Sequence, residues 1–144
     1  MKIDYMYFHI FKPNILPVGV KYEEFKNIDN YENDSIENIT IQDLLDYVED
    51  QHTGPTIKLF VDKLKTDGTL TIQGTDLLQL SSSIVFKEIE LSATKKIIYN
   101  GYKKSIHTMN DIVELLQKLD VIIEVKKYIN IFEYYIVVRK NEKN

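Results

Sequence analysis

The 144-residue chain is 44% hydrophobic and 28% charged with a formal net charge of −4, which predicts one soluble domain and disfavours duplex nucleic-acid binding, since that usually needs a basic excess. It has no cysteine, which excludes disulfides, thiolate metal sites and cysteine nucleophiles. Because Lys2, Asp4 and Lys12 interrupt the first 20 residues, we expect no signal peptide and no membrane span there, and a cytoplasmic location.

The first half of the chain predicts two strands. Residues 3–11 are aromatic and β-prone, and the strand ends before Pro13 because proline lacks the N–H that a ladder needs. Residues 14–34 follow no period, which predicts a surface connection with room for a short strand or turn. Residues 35–41 alternate into an apolar strand, and the helical spacing of Leu44, Leu45 and Val48 predicts a turn of helix directly after it.

The middle of the chain predicts a helix, a strand and further helices. Pro55 is well placed at the start of a helix that we expect to end at Gly68, with a strand over 69–73. The apolar stripe of this helix is Ile57, Phe60, Val61 and Leu64. Residues 77–99 predict one or two amphipathic helices, broken near residues 90–92.

The last third predicts a turn, a capped helix and a β-hairpin. Asn100-Gly101 is typical of a turn, and Thr108 with Asp111 resembles a capping box that opens the next helix. Strands over 121–128 and 132–139 are separated by a tight connection and therefore form an antiparallel hairpin. We expect a single domain over residues 1–140 and a polar tail over 141–144.

Three segments in this order carry a family resemblance. Residues 34–39 (DSIENI) lead into residues 45–48 (LDYV), and residues 64–72 (LKTDGTLTI) follow after one helix. Together they resemble the second half of a class I S-adenosylmethionine-dependent methyltransferase, where a D-x-S-x-D-x-I strand entry runs into L-E-H and then L-K-P-G-G-x-L-x-I. The resemblance extends over roughly residues 34–140. It implies an α/β, shortened Rossmann-like methyltransferase fold: a mostly parallel sheet with helices on the sheet faces and a C-terminal antiparallel β-hairpin.

The chain departs from this family in its first quarter. Family members follow the first strand with a glycine-rich loop whose N–H groups face the cofactor. Here residues 12–19 (KPNILPVG) contain one glycine and two prolines, and proline removes such donors. The stretch from Phe11 to Ser35 is also too short for the helices and strands that complete the family's cofactor-binding half. We therefore predict a degenerate member that lacks one or two β–α units.

Four residues are candidates for a cofactor-binding crevice. Asp76 matches the aspartate that commonly follows the L-x-I strand, at the edge where open α/β sheets bind ligands. Thr75 precedes it, and Gln42 and Asp43 end the neighbouring strand, so we expect the four to lie together. The alternative for Asp76, Gln42 and Asp43 is helix capping.

The other polar candidates have structural interpretations that we prefer. Asp46 takes the place of the family's glutamate in L-E-H, and without a following histidine we expect it on a solvated helix face; we expect Asp29 in a solvated loop. The histidines have no zinc spacing, so no metal site is predicted, and for His107 we favour a structural role. The sequence contains no G-x-S-x-G elbow, so hydrolase chemistry has no support. The remaining candidate is a basic, aromatic patch formed by Lys95, Lys96, Lys103 and Lys104 with Tyr99 and Tyr102.

Three functions follow from these observations. The first is a degenerate methyltransferase-like pseudoenzyme that acts by binding, either as the non-catalytic partner of an enzyme or as a component of an assembly. We expect a protein partner or a homo-oligomer, with no membrane and no nucleic acid involved. The alternative is a minimal enzyme that binds S-adenosylmethionine in a rearranged or oligomer-shared site; this is the one cofactor that the resemblance implies, and the missing loop argues against it. The second alternative is an RNA- or phosphate-binding module at the four lysines.

Overall fold

The computed structural model describes residues 3–10, 18–99 and 102–142. The strands there are β1 (Ile3–His9), β2 (Lys21–Glu24), β3 (Ile36–Gln42), β4 (Leu64–Thr75), β5 (Val121–Tyr128) and β6 (Glu133–Lys140). They form one sheet in the order β2-β1-β3-β4-β6-β5. The first four strands in that order are parallel neighbours, whereas β6 is antiparallel to both β4 and β5. The predicted mostly parallel sheet with a C-terminal antiparallel hairpin is therefore confirmed.

The helices are α1 (Thr53–Lys63), α2 (Leu77–Val85), α3 (Leu91–Ile98) and α4 (Met109–Gln117), with 3-10 helices at Phe25–Asn30, Leu44–Tyr47 and Asp50–His52. The segment predicted as one or two helices forms two, and the break between them lies at residues 86–90, slightly before the predicted 90–92. The predicted capping box is also present. The Thr108 hydroxyl accepts a bond from the Asp111 N–H at 3.1 Å, and the Asp111 carboxylate accepts one from the Thr108 N–H at 2.9 Å.

The hydrophobic core lies between one face of the sheet and two of the helices. Phe60 of α1 and Leu116 of α4 are fully buried there. The strand side chains beneath them are Met6, Phe8, Ile39, Ile41, Leu70, Ile72, Tyr134, Ile136 and Val138. Ile28 of the first 3-10 helix joins the same core, so part of the connection predicted to be a surface segment is buried. This segment also contains the short strand β2.

The boundary between α1 and β4 differs from the predicted one. The helix ends at Lys63, and Leu64 is already extended and pairs with Ile36 of β3. Leu64 has the spacing of a helical residue, but strand pairing and complete burial decide its conformation. Gly68 lies within the strand, where a Cβ would come within 2.7 Å of the Glu37 carbonyl oxygen.

Some predicted features lie outside the described residues. They are the proline-containing segment 11–17, the Asn100-Gly101 turn and the last two residues of the polar tail. No helix in the described part of the chain has both the length and the apolar character needed to span a membrane.

Candidate functional site

The candidate crevice lies where β3 and β4 end, side by side. Gln42 pairs with Gln73, and the Asp43 N–H donates to the Gln73 carbonyl oxygen at 2.9 Å. Thr75 ends β4 and Asp76 follows it directly. The fold therefore brings the four predicted residues to one edge of the sheet, as expected for the carboxyl ends of parallel neighbours.

Asp76 uses its whole carboxylate to hold two helices. The side chain is fully buried, and its oxygens accept bonds from the Gln79 N–H in α2 at 2.9 Å and the Met109 N–H in α4 at 2.7 Å. Free N–H groups at a helix start are the donors that an aspartate cap satisfies. The predicted N-cap role of Asp76 is thereby confirmed, and the residue also anchors the first turn of α4.

The other three residues differ in their access to solvent. Thr75 is buried, Gln42 is exposed, and Asp43 is partly exposed with a left-handed backbone at φ 55°. Asp43 occupies the cap position of the 3-10 helix without a side-chain capping bond. Burial and the nearby Glu133 carboxylate raise the Asp43 pKa, and Lys103 opposes that rise. Among the four residues, the side chains that reach solvent are the Gln42 amide and the Asp43 carboxylate.

Asp46 is buried, so the prediction of a solvated helix face was wrong. Only 1% of the residue is exposed, and its carboxylate oxygen lies 3.3 Å from the Lys103 ammonium nitrogen. Burial raises the Asp46 pKa to about 7, against the opposing effect of Lys103 and with a smaller contribution from Asp43. A carboxyl group with this pKa can hold or release a proton near neutrality.

The segment from Lys103 to Ser105 covers Asp46. The Asp46 carbonyl oxygen accepts bonds from the Lys104 N–H at 2.7 Å and the Ser105 N–H at 3.1 Å. The Ser105 hydroxyl lies within 3.0 Å of the Leu45 and Val48 carbonyl oxygens. These contacts hold residues 104 and 105 against the backbone around Asp46. They join residues almost 60 positions apart, which the local pattern does not reveal.

Tyr134 places a second buried polar group near the same edge. Its hydroxyl is buried and has no hydrogen-bond partner among the described residues. Burial raises its pKa well above the usual value, and the carboxylates of Asp46, Asp43 and Asp76 add to that effect. The ring passes over Gly74, where a Cβ would come within 2.6 Å of the hydroxyl. From the sequence alone Tyr134 is expected only as a strand residue, and the signal for its burial is Gly74, the residue opposite it in the ladder.

His107 forms a separate polar group beside α1. It is buried, and its Nε2 lies 3.0 Å from the Ser105 hydroxyl and 3.2 Å from the Thr53 hydroxyl. Its Nδ1 is 3.7 Å from the carboxylate of the exposed Asp50, too far for a hydrogen bond. Because Ser105 also faces two carbonyl oxygens, its proton is directed to the backbone. His107 thus connects the start of α1, through Thr53, to the segment before α4, which is the structural role predicted for it.

The predicted lysine patch is divided by the fold. Lys95, Lys96 and Lys104 are exposed, as are Tyr99 and Tyr102. The Lys103 side chain is only 13% exposed and faces Asp46. Asp29 is exposed, as expected. The described residues contain no group of three or more His, Asp or Glu that is arranged to hold a metal ion.

An exposed apolar surface lies on residues 77–99, the segment formed by α2, α3 and their connection, which we call the helical arm. The Phe86 and Tyr99 side chains are 71% and 77% exposed, and Leu78 and Leu91 are exposed by more than 60%. Thr94, a polar residue, is the one buried residue of α3. The helix is thus amphipathic, and its apolar side chains remain open to solvent.

No protein-family model matches the chain, and no curated protein sequence is significantly similar to it. Solved structures do match. A methyltransferase from Methanosarcina mazei described as SAM-dependent is 14% identical with a TM-score of 0.64, and the match covers 97% of this chain and 83% of that protein. The PH0226 protein from Pyrococcus horikoshii is 15% identical with the same TM-score, over 85% of this chain and 60% of its own.

A third match is to a complex of the Haloferax volcanii Trm112 methyltransferase activator with a methyltransferase. The matched chain of this complex is 9% identical with a TM-score of 0.62, and the match covers 90% of this chain and 65% of the matched chain. The chain therefore spans less than two thirds of two of these three proteins. At such low identities the matches establish the fold, and the chain has a class I methyltransferase-like fold.

Proposed function

We propose that this class I methyltransferase-like chain is a non-catalytic domain that acts by binding another protein. The observation that carries the proposal is the helical arm, which exposes large apolar side chains along both of its helices. Exposed apolar patches rimmed by polar residues are typical of protein interaction sites. The commitment of the Asp76 carboxylate to two backbone N–H groups supports the non-catalytic part, because it removes the best ligand candidate.

The charges around the arm indicate the kind of partner. Four exposed lysines lie on or next to it, Lys87, Lys95, Lys96 and Lys104, against the two exposed glutamates Glu88 and Glu90. This excess of positive charge on an acidic chain favours a partner with an acidic rim and apolar pockets. The aliphatic residues Leu78 and Leu91 favour a protein over a nucleic acid. One similar structure is itself a methyltransferase complexed with an activator protein, which is consistent with such a partner.

The proposal is tested with the Phe86→Ser/Leu91→Ser double variant. Both side chains are exposed, so the variant should melt at the same temperature as the unmodified chain. A partner captured with the unmodified chain, purified and titrated back, should bind the variant at least about tenfold more weakly. Val18→Ser removes an equally exposed side chain outside the arm and is the control. Equal affinity for the variant and the unmodified chain would refute the arm as the binding surface.

A second candidate is a minimal enzyme that uses S-adenosylmethionine. The observation in its favour is the buried Asp46 carboxyl, whose pKa of about 7 suits a group that exchanges a proton near neutral pH. On this hypothesis Gln42 and Asp43 contact the cofactor, with the remaining contacts supplied across an oligomer interface. The two candidates differ in one measurable property, which is cofactor binding.

A further inference from the structure

The sheet face opposite the core carries a continuous row of side chains that crosses all six strands. Strand pairing aligns Tyr22, Tyr7, Thr40, Thr71, Val137 and Val125 in that order. Each of them is at least partly exposed. The Tyr7 and Tyr22 rings lie 5.4 Å apart, which places them on the same face. In the described part of the chain, the two helices that reach the core, α1 and α4, pack on the other face.

An exposed face is unusual for strands that pair in parallel. Parallel sheets occur almost only with both faces covered. The sheet has six strands of mostly seven or eight residues. At about 4.8 Å between strands and about 3.3 Å per residue, the face measures roughly 25 by 23 Å. The flat area of roughly 575 Å² lies near the low end of the roughly 600–1,000 Å² that each partner buries in a standard interface.

The side chains along the row change in type from one edge of the sheet to the other. Tyrosines lie on β2 and β1, threonines on β3 and β4, and valines on β6 and β5. Two copies can face each other across a two-fold axis that runs parallel to the strands, level with the gap between β3 and β4 and midway between the two sheets. This axis places the tyrosines of one copy against the valines of the other. It also sets Thr40 opposite Thr71. This self-complementarity is what an isologous interface requires.

Two charged groups on this face, the Arg139 guanidinium and the Glu133 carboxylate, are already bonded within the chain, which disfavours a phosphate-bearing partner. The Arg139 guanidinium bonds the Glu124 carboxylate at 2.6 Å and the Asp67 carboxylate at 2.9 Å. The Gln73 amide bonds the Glu133 carboxylate at 3.1 Å. The face thus offers mainly tyrosine, threonine and valine contacts, with the Lys127 ammonium 5.3 Å above the Tyr135 ring, and tyrosine is enriched in protein interfaces.

From these observations we infer that the open sheet face binds a second copy of this chain, face to face, as a two-fold dimer. Sheets packed in this way keep their strands within about 30° of each other and about 10 Å apart. The dimer covers the face that the shortened chain leaves open, and the helical arm, on which the proposed function depends, is separate from it. An experiment can therefore refute the sheet-face dimer without refuting partner binding by the helical arm, and the reverse also holds.

Light scattering on the intact chain between about 1 and 100 µM tests this inference. The unmodified chain should have twice the chain mass. Thr71→Lys places like charges close to the two-fold axis and should weaken dimerisation at least about tenfold. Gln117→Lys, exposed on α4 on the other side of the sheet, is the matched control and should remain dimeric. Tyr5→Glu, at a side chain already 41% exposed, is a second variant that tests the same face if Thr71→Lys folds poorly.

Crosslinking identifies the surface directly, because the chain has no cysteine of its own. A short bismaleimide should couple two copies of Thr71→Cys and should leave Gln117→Cys uncoupled. A monomer across the whole range would overturn the inference, as would a dimer that Thr71→Lys leaves intact. Binding of a labelled oligouridine that is lost in Tyr5→Glu would also overturn it, by assigning the face to single-stranded RNA.

Discussion

At the scale of single residues, the Asp46 carboxyl makes folding depend on pH. Its pKa is raised from the ordinary value of 3.8 to about 7 in the folded chain. The folded state therefore binds this proton more tightly than the unfolded state between those two values. Ionisation of Asp46 opposes folding, so its contribution is most favourable below about pH 4 and is lost as the pH rises through about 7.

Asp46→Asn should remove this pH dependence, because the amide resembles the protonated acid in shape and charge. A pKa shift is equivalent to about 1.4 kcal/mol per unit. We expect the unfolding free energy of the variant, relative to the unmodified chain, to rise by about 2–4 kcal/mol from about pH 4 to pH 8. Urea denaturation across this pH range measures it. The exposed Glu114→Gln should give no such rise. If the unfolding free energies of Asp46→Asn and the unmodified chain changed in parallel with pH, the raised pKa of Asp46 would be contradicted.

The candidate site was predicted only in part at this scale. The grouping of Gln42, Asp43, Thr75 and Asp76 follows from strand ends that the sequence pattern locates. The burial of Asp46 depends on bonds from Lys104 and Ser105, which lie far away in the chain. No local spacing encodes such contacts, so an aspartate in a polar context was assigned to the solvent.

At the scale of secondary-structure elements, the capping box of α4 has a function beyond its own helix. The start of α4 is bonded both by Thr108 and, through the Met109 N–H, by Asp76 at the end of β4. The helix then packs Ile112 and Leu116 into the core. Its first turn therefore connects a local signal in the sequence to the packing of the sheet.

Thr108→Ala should destabilise the chain by about 1 kcal/mol, since it leaves the Asp111 N–H without its acceptor. Equilibrium urea unfolding at neutral pH measures the change. Asn110→Ala alters an exposed residue in the same turn and should stay within about 0.5 kcal/mol of the unmodified chain. Equal stability of the two variants would show that the box adds nothing to folding.

Elements whose signals are local were predicted well. A few neighbouring residues contain the whole signal for the capping box of Thr108 and Asp111. The same is true of the tight turn between β5 and β6. The end of α1 was misplaced because Leu64 satisfies the helical spacing, whereas its pairing with Ile36 depends on a strand almost 30 residues earlier. Tertiary pairing decides such a residue, and spacing alone does not contain it.

At the scale of the whole molecule, the described residues form a methyltransferase-like sheet with one face covered by α1 and α4, and they leave two surfaces open. The helical arm presents apolar side chains beside lysines, and the open sheet face presents tyrosines, threonines and valines. The sequence indicated the fold through the order of its motifs. It did not indicate the open face, because the alternation along each strand is the same whether a polar face meets water or another chain.

A non-catalytic domain differs from a minimal enzyme in whether it binds S-adenosylmethionine. We expect titration calorimetry and thermal shift with S-adenosylmethionine and S-adenosylhomocysteine to detect no binding at about 1 mM ligand. A dissociation constant of about 10 µM would raise the unfolding free energy by about 2.7 kcal/mol under those conditions and be plainly visible. A micromolar dissociation constant that weakens in Asp43→Ala and is retained in the exposed control Gln51→Ala would contradict the claim and establish the minimal enzyme instead.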